Sequence, residues 1–430
     1  MTAATLAFRQ ITRTSASRPF TAAARRTPAA FRRIPVTATT FARTVHTAPA
    51  LPSRARTASS IRTMATTAAS KRNPTPPLVP FRTHSPQPNA SKDTPLTHVF
   101  FHQPTSTWTY LVVCPTTRKA AVIDSVLDFD PVTNTVSTET ADGLLAFAEQ
   151  EHIHIERILE THAHADHLTG AAYLQLRLGG NPAAFDSEIE PLAASATARI
   201  PIGAYSAVRE TQAHFARLYE VPMEELENAF DELYEEGSKL RIGDCEGEVW
   251  HLPGHTECSA GYVFGDAVYT GDSVLLVSTP PLFSGRLPSR SGQEADSFAV
   301  LTRAQPSIGS ARVDFPAGSA TRLFASSQRL LSLPSHFRLF SGHHYAASPT
   351  YEGGNRCSAT VGEQKALNKH FKEGTAPEEF VKMREERDKE LNEPRLLHQS
   401  LQVNIRAGRL PKGKDGRPYL RIPLHAPAIL

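Results

Sequence analysis

The first 92 residues contain neither aspartate nor glutamate. Against that absence stand 13 Arg and 2 Lys, a charge of +15, so the chain total of +3 leaves −12 for the remainder. The basic balance belongs to the leading segment alone. The acidic body gives no electrostatic reason to expect nucleic acid or an anionic membrane as partner. Cysteine is scarce: Cys114, Cys245, Cys258 and Cys357 form no CxxC pair, which argues against a disulfide framework and suits a reducing compartment. No apolar run approaches the ~20 residues needed to span a bilayer, and no secretory hydrophobic core is present.

Residues 1–65 consist of Ala, Thr, Ser and Arg with isolated apolar positions such as Leu6, Phe8, Ile11, Phe20 and Phe31. This is the composition of a mitochondrial transit peptide, and the matrix is the expected destination. Met64 offers a second start that would skip most of the leader and yield a cytosolic form. Residues 66–96 read as an extended linker, with prolines at 74, 76, 77, 80, 86 and 88.

A catalytic body is expected over 97–362, with a helical extension and tail over 363–430. His98 to Phe101, Trp108 to Cys114 and Ala120 to Ile123 have the β-branched and aromatic content of strands. Thr140 to Glu151 places Leu144, Leu145, Phe147 and Ala148 at helical spacing, and an apolar strand, Ile155 to Leu159, follows. Leu168 to Leu178 reads as a helix stopped by Gly179-Gly180. Such alternation predicts sheets flanked by helices. Residues 181–199 look like a loose insertion, and 277–308, rich in Ser, Pro and Gly without His or Cys, like a disordered one. The charged stretch Glu378 to Leu391 reads as a solvated covering helix.

Chemistry concentrates in Thr161-His162-Ala163-His164-Ala165-Asp166-His167, which packs three imidazoles and a carboxylate into six residues. Neutral imidazole and carboxylate are the donors that divalent metals take, and the end of a buried strand would fix their geometry. Further donors stand in turns after β-like runs: His255 in Leu252-Pro253-Gly254-His255-Thr256, Asp272 in Tyr269-Thr270-Gly271-Asp272-Ser273, and His343 in Phe340-Ser341-Gly342-His343-His344. The spacings are 88, 17 and 71 residues. The glycine before His343 favours it over His344 as the donor.

These four elements in this order resemble the metallo-β-lactamase superfamily, over roughly Thr97 to Ile422. The resemblance implies an αββα sandwich of two mixed sheets with helices on the outer faces. It implies a metal site built from His162, His164, His255, Asp272 and His343, with Asp166 and His167 in catalytic roles. The loop, the Arg312-Val313-Asp314-Phe315 segment and the Val361-Gly362-Glu363-Gln364-Lys365-Ala366-Leu367-Asn368 stretch resemble persulfide dioxygenases and a β-lactamase-hydrolase-like branch. By that resemblance one Fe(2+) is held by His162, His255 and Asp272, glutathione persulfide and O2 are the substrates, and sulfite and glutathione leave. His164, Asp166, His167 and His343 then orient the ligands by hydrogen bonds.

The alternative is a two-zinc thioester hydrolase of glyoxalase II type, in which the same residues complete a dinuclear centre. A non-catalytic binding module would be expected to have lost His162, His255 or Asp272, and all are present. Arg312 could clamp a glutathione carboxylate or pair with Asp314. Cys258 could be redox-active or a small packing residue. Glu257 stands where family members often have proline, which alters local charge near His255. A homodimer is compatible with the sequence and not specified by it.

Overall fold

The computed structural model describes residues 75–179, 199–276, 309–344 and 356–423. The expected transit peptide 1–65 and insertion 277–308 lie outside them, as does 181–198.

The first sheet gathers β1 (Arg82–His84), β2 (Leu96–His102), β3 (Thr107–Val113) and β4 (Lys119–Ile123) as antiparallel neighbours. The chain then makes β5 (Val126–Asp130), β6 (Thr135–Ser137), α1 (Glu139–Gln150), β7 (His154–Leu159), β8 (Leu168–Thr169), α2 (Ala171–Arg177), β9 (Ile202–Tyr205), α3 (Val208–Tyr219) and β10 (Glu232–Tyr234). Strands β7, β9 and β10 extend the first sheet in parallel, giving the order β1-β2-β3-β4-β7-β9-β10. The second sheet, β11 (Lys239–Ile242), β12 (Cys245–His251), β13 (Ala260–Phe264) and β14 (Ala267–Gly271), is antiparallel. After α4 (Ala320–Leu331) the chain adds β15 (Arg338–Ser341), parallel to β14, and β16 (Ser358–Thr360). Helices α5 (Val361–Leu367), α6 (Pro377–Asp388) and α7 (Leu397–Asn404) follow.

The αββα expectation holds, and period-two alternation in β3 shows why. Trp108, Tyr110 and Val112 face Tyr262, Phe264, Tyr269 and Phe340 of the second sheet, while Leu111 and Val113 face the α1 side with Leu144 and Phe147. A strand buried on both faces cannot spare a polar side, and each large apolar side chain buried contributes about 1.5–3 kcal/mol. The outer face of the second sheet packs Leu323 and Leu330 of α4 and Phe380 of α6 against Val268 and Leu339.

Four differences from the sequence expectations bear on the site. The linker 66–96 is in part folded body, because β1 pairs with β2, Phe81 packs on Trp108 and the Leu78 N–H donates to the Gly143 carbonyl at 2.9 Å. The helix expected from Leu168 starts at Ala171, since Leu168 and Thr169 pair with β5 in a small third sheet, β6-β5-β8. Residues 361 and 362, assigned to the catalytic body, begin α5, whose Thr360–Glu363 capping box fixes its start. Helix α6 is not merely a solvated cover: Phe380, Arg384 and Asp388 are buried.

Candidate metal centre

Strand β7 ends at Leu159 and delivers the histidine loop. Thr161 anchors it to Asp124, just beyond β4: its N–H donates to one carboxylate oxygen at 2.7 Å and its hydroxyl to the other at 2.8 Å. The second sheet brings the remaining donors, His255 after β12, Asp272 after β14 and His343 after β15. Two glycines permit this approach. At Gly254 (φ 141°) a Cβ would lie 2.2 Å from the Leu323 nitrogen, and at Gly271 (φ 48°) 2.4 Å from the Thr161 hydroxyl. The loop-bearing edges of the two sheets are joined there by the Ala260 N–H, which donates to the Thr161 carbonyl at 2.8 Å.

All seven predicted residues are brought together, in two donor sets. His162, His255 and Asp272 form one and His164, Asp166, His167 and His343 the other, each with one donor atom per residue within 4.8 Å of the rest. His255 Nδ1 sits 2.8 Å from the Arg312 carbonyl and so carries the proton, which leaves Nε2 as the donor. His162 Nδ1 lies 3.0 Å from the Thr161 hydroxyl, and His164 Nε2 is 3.1 Å from Asp124. The buried atoms His164 Nδ1, His167 Nε2 and Asp272 Oδ1 have no hydrogen-bond partner, and Asp166 Oδ2 lies 3.1 Å from His343 Nε2. Three orphaned atoms and an imidazole–carboxylate pair converging in one buried place fit divalent metal, since a bound ion is what satisfies such groups. His344 is buried but belongs to neither set, as the glycine spacing suggested.

Electrostatics agree with ligand duty. Burial, reinforced by neighbouring imidazoles, holds His162 and His164 well below the usual histidine range, the neutral form that metals bind. Burial raises Asp272. Burial also pushes Asp166 upward, but His343 and His167 outweigh it and keep the carboxyl well below its ordinary range. His343 is raised because Asp166 and Asp272 overcome the effect of burial.

The sequence reading assigned no role to several residues that hold the ligands. Asp124 and Glu160 form a buried carboxylate pair beneath His164, and Thr107 lies 3.4 Å from both His167 and His343. Asn404, in α7, donates to the His164 carbonyl at 2.7 Å and the His167 carbonyl at 2.8 Å, and accepts from the Thr169 N–H at 2.9 Å. Arg312 pairs with Asp314 at 2.6 Å and donates to the Asn392 carbonyl, so the ion pair is formed while its backbone serves His255. Cys258 is a buried core residue, and Glu257 pairs with Arg322 of α4. Beside the donors opens a cavity of about 430 Å³, lined among others by Asp166, His255, Asp272, Arg312 and Phe315.

The sequence model of the metallo-beta-lactamase superfamily matches residues 102–343. The chain belongs to that superfamily. A β-lactamase hydrolase-like protein of Xylella fastidiosa is 36% identical over 335 residues, 77% of this chain and 65% of its own length. The chain thus spans just under two thirds of that relative. Glyoxylase B2 of Dictyostelium discoideum is 33% identical over 76% of this chain and 96% of its own length. The mouse persulfide dioxygenase ETHE1 is 24% identical over 75% of this chain and 92% of its own length. The metallo-β-lactamase fold accounts for the split donor set: each sheet contributes one part of a metal-binding His/Asp cluster consistent with a dinuclear site.

Proposed function

We propose that this superfamily enzyme is an iron-dependent persulfide dioxygenase, which converts glutathione persulfide, dioxygen and water to glutathione and sulfite. One observation carries the reading. His162, His255 and Asp272 stand as a set of two imidazoles and one carboxylate, while His164 groups with the other donors and with Asp124 and Glu160. Two histidines and one carboxylate with open positions are the ligand type of non-haem iron oxygenases. Iron supplies the electron transfer that oxidation of a sulfane sulfur by dioxygen needs, and zinc does not. His255 and Asp272 line the cavity, so a thiolate entering it meets the triad directly. Asp166, also on that wall and 3.1 Å from His343 Nε2, is placed to orient that imidazole at the edge of the cavity.

The second reading is a two-metal thioester hydrolase, favoured by the convergence of His164, Asp166, His167 and His343. Both readings are in keeping with glutathione-derived substrates. The discriminating experiment is metal analysis of anaerobically purified protein, with oxygen-electrode and thioester-hydrolysis assays, on wild type and Asp166→Asn. The dioxygenase keeps about one iron per chain in the variant and loses roughly 10 to 100-fold in oxygen uptake. Two zincs in the wild type, no persulfide-dependent oxygen uptake and one zinc in the variant would overturn the proposal.

A further inference from the structure

A file of hydroxyl, imidazole and carboxylate side chains runs from the metal centre toward solvent. Thr107 opens β3, fully buried, with its hydroxyl 3.4 Å from Nδ1 of both His167 and His343. That hydroxyl lies 2.8 Å from the Thr105 hydroxyl, which in turn lies 2.7 Å from Nδ1 of His102, the last residue of β2. His102 Nε2 then stands 3.3 Å from Asp128 Oδ1 on β5. Side-chain exposure reaches 10% at His102 and 22% at Asp128, so the outer end meets water. Thr105 lines the cavity together with Asp166, His255 and Asp272.

The donors in this file all point one way. Asp128 accepts from the Thr140 N–H at 2.9 Å and from the Thr140 hydroxyl at 2.6 Å. Burial pushes its carboxyl upward, but bonds from His102 and Thr140 outweigh it and hold it below the ordinary range, as an anion. An anion only accepts, so in its neutral form His102 carries its proton on Nε2 and offers Nδ1 as acceptor. The Thr105 hydroxyl therefore donates to His102, and its oxygen accepts from Thr107. We propose that Asp128, His102 and Thr105 form a proton relay that carries protons released at the metal centre from the cavity to solvent. The relay rests on the proposed function for its supply of protons, but not on the choice between the two readings. Oxidation of glutathione persulfide by dioxygen and water yields glutathione, sulfite and two protons, whereas thioester hydrolysis yields thiol, carboxylate and one. In each transfer the Thr105 hydroxyl takes up a proton from the cavity as it passes its own to His102 Nδ1. The imidazolium so formed, held by Asp128, gives its Nε2 proton to bulk water or buffer.

The test uses the full-length metal-loaded protein with His102→Gln, Thr105→Val and Thr105→Ser, assayed in weak buffer for oxygen uptake and thioester hydrolysis. His102→Gln and Thr105→Val should lower kcat by about 10 to 100-fold, below the full range of positioned proton transfer because cavity water carries part of the flux. KM and metal content should stay as in wild type, and Thr105→Ser should keep kcat. Adding a hindered imidazole buffer, methylated beside its ring nitrogens so that it ligates metal poorly, should restore His102→Gln, which no merely structural lesion would allow. The His102 tautomer is read without turnover, from nitrogen-15 spectra at about pH 8.5, above the ordinary histidine range, with His102→Gln giving the assignment. The Nε2–H form is expected. If the protein hydrolyses thioester but consumes no oxygen with persulfide, the same kcat pattern on hydrolysis keeps the relay while the dioxygenase reading falls. An undiminished kcat in His102→Gln, a loss that buffer does not restore, or an Nδ1–H tautomer overturns the inference.

Discussion

Replacing Asn404 by alanine should damage a metal centre that Asn404 never touches. The side chain holds the histidine loop through two donated hydrogen bonds, at 2.7 and 2.8 Å, and one accepted at 2.9 Å, while 3% exposed. Alanine leaves three backbone groups without that partner, and each buried unsatisfied group costs about 1–3 kcal/mol. Water entering the vacated space recovers part of this, so a net loss of about 2–4 kcal/mol is expected. That is a large share of the roughly 5–15 kcal/mol by which a domain is stable. Because the carbonyls released belong to His164 and His167, metal affinity should fall by about 10 to 100-fold. Urea unfolding and competition with a chromophoric chelator measure the two effects. Asn404→Asp keeps the acceptor for Thr169 but loses both donors and adds negative charge, so it should be worse than alanine. Stability within about 0.5 kcal/mol of wild type together with unchanged metal affinity would refute the claim that α7 organises the loop.

Gly254→Ala should lose metal as well as stability, since a methyl group 2.2 Å from the Leu323 nitrogen must push α4 and the His255 loop apart. Retention of full metal content by atomic absorption would count against it. His370 is lowered to about 3 by burial, helped by Lys369, Arg384 and Arg387, and its Nδ1 lies 2.7 Å from the Ser310 hydroxyl. A histidine depressed in the fold contributes stability that is complete above its unfolded pKa of about 6.5 and is lost as pH falls towards 3. His370→Gln should therefore show a smaller drop in urea midpoint between pH 7 and pH 4.5 than wild type, and an equal or larger drop would exclude the linkage. Residues 1–70 fused to a fluorescent protein should direct it to mitochondria, because 15 positive charges without an acid precede Asp93. Diffuse cytosolic fluorescence would contradict that.

The metal donors could be read from the sequence because their spacing is itself chemical information. Four His or Asp motifs, each closing a β-like run, leave few arrangements other than convergence at one end of a sandwich. The long strands were legible for a related reason: Trp108 to Val113 has no polar face to offer, which is what burial between a sheet and helices requires. Supporting residues carried no such signal. Asn404 is one amide in a tail helix, and its duty comes from contacts 237 and 240 positions away in the chain. Arg384 and Asp388 are spaced like any surface helix pair, so only tertiary packing reveals that they are buried. Strand β1 was hidden among prolines, because an edge strand of three residues is fixed by its partner rather than by its own periodicity.

The clasp on the histidine loop also sets a clock. His162, His164, Asp166 and His167 lie on one stretch pinned at its start by Asp124 and near its end by Asn404. The opposing donors are fixed to a different sheet, so no single side-chain rotation frees all of them. The full set of donors therefore comes apart only if the loop opens as a unit, and such sub-global openings cost free energy approaching that of the surrounding core. The lifetime of the assembled donor geometry is thus set by the opening kinetics of the fold.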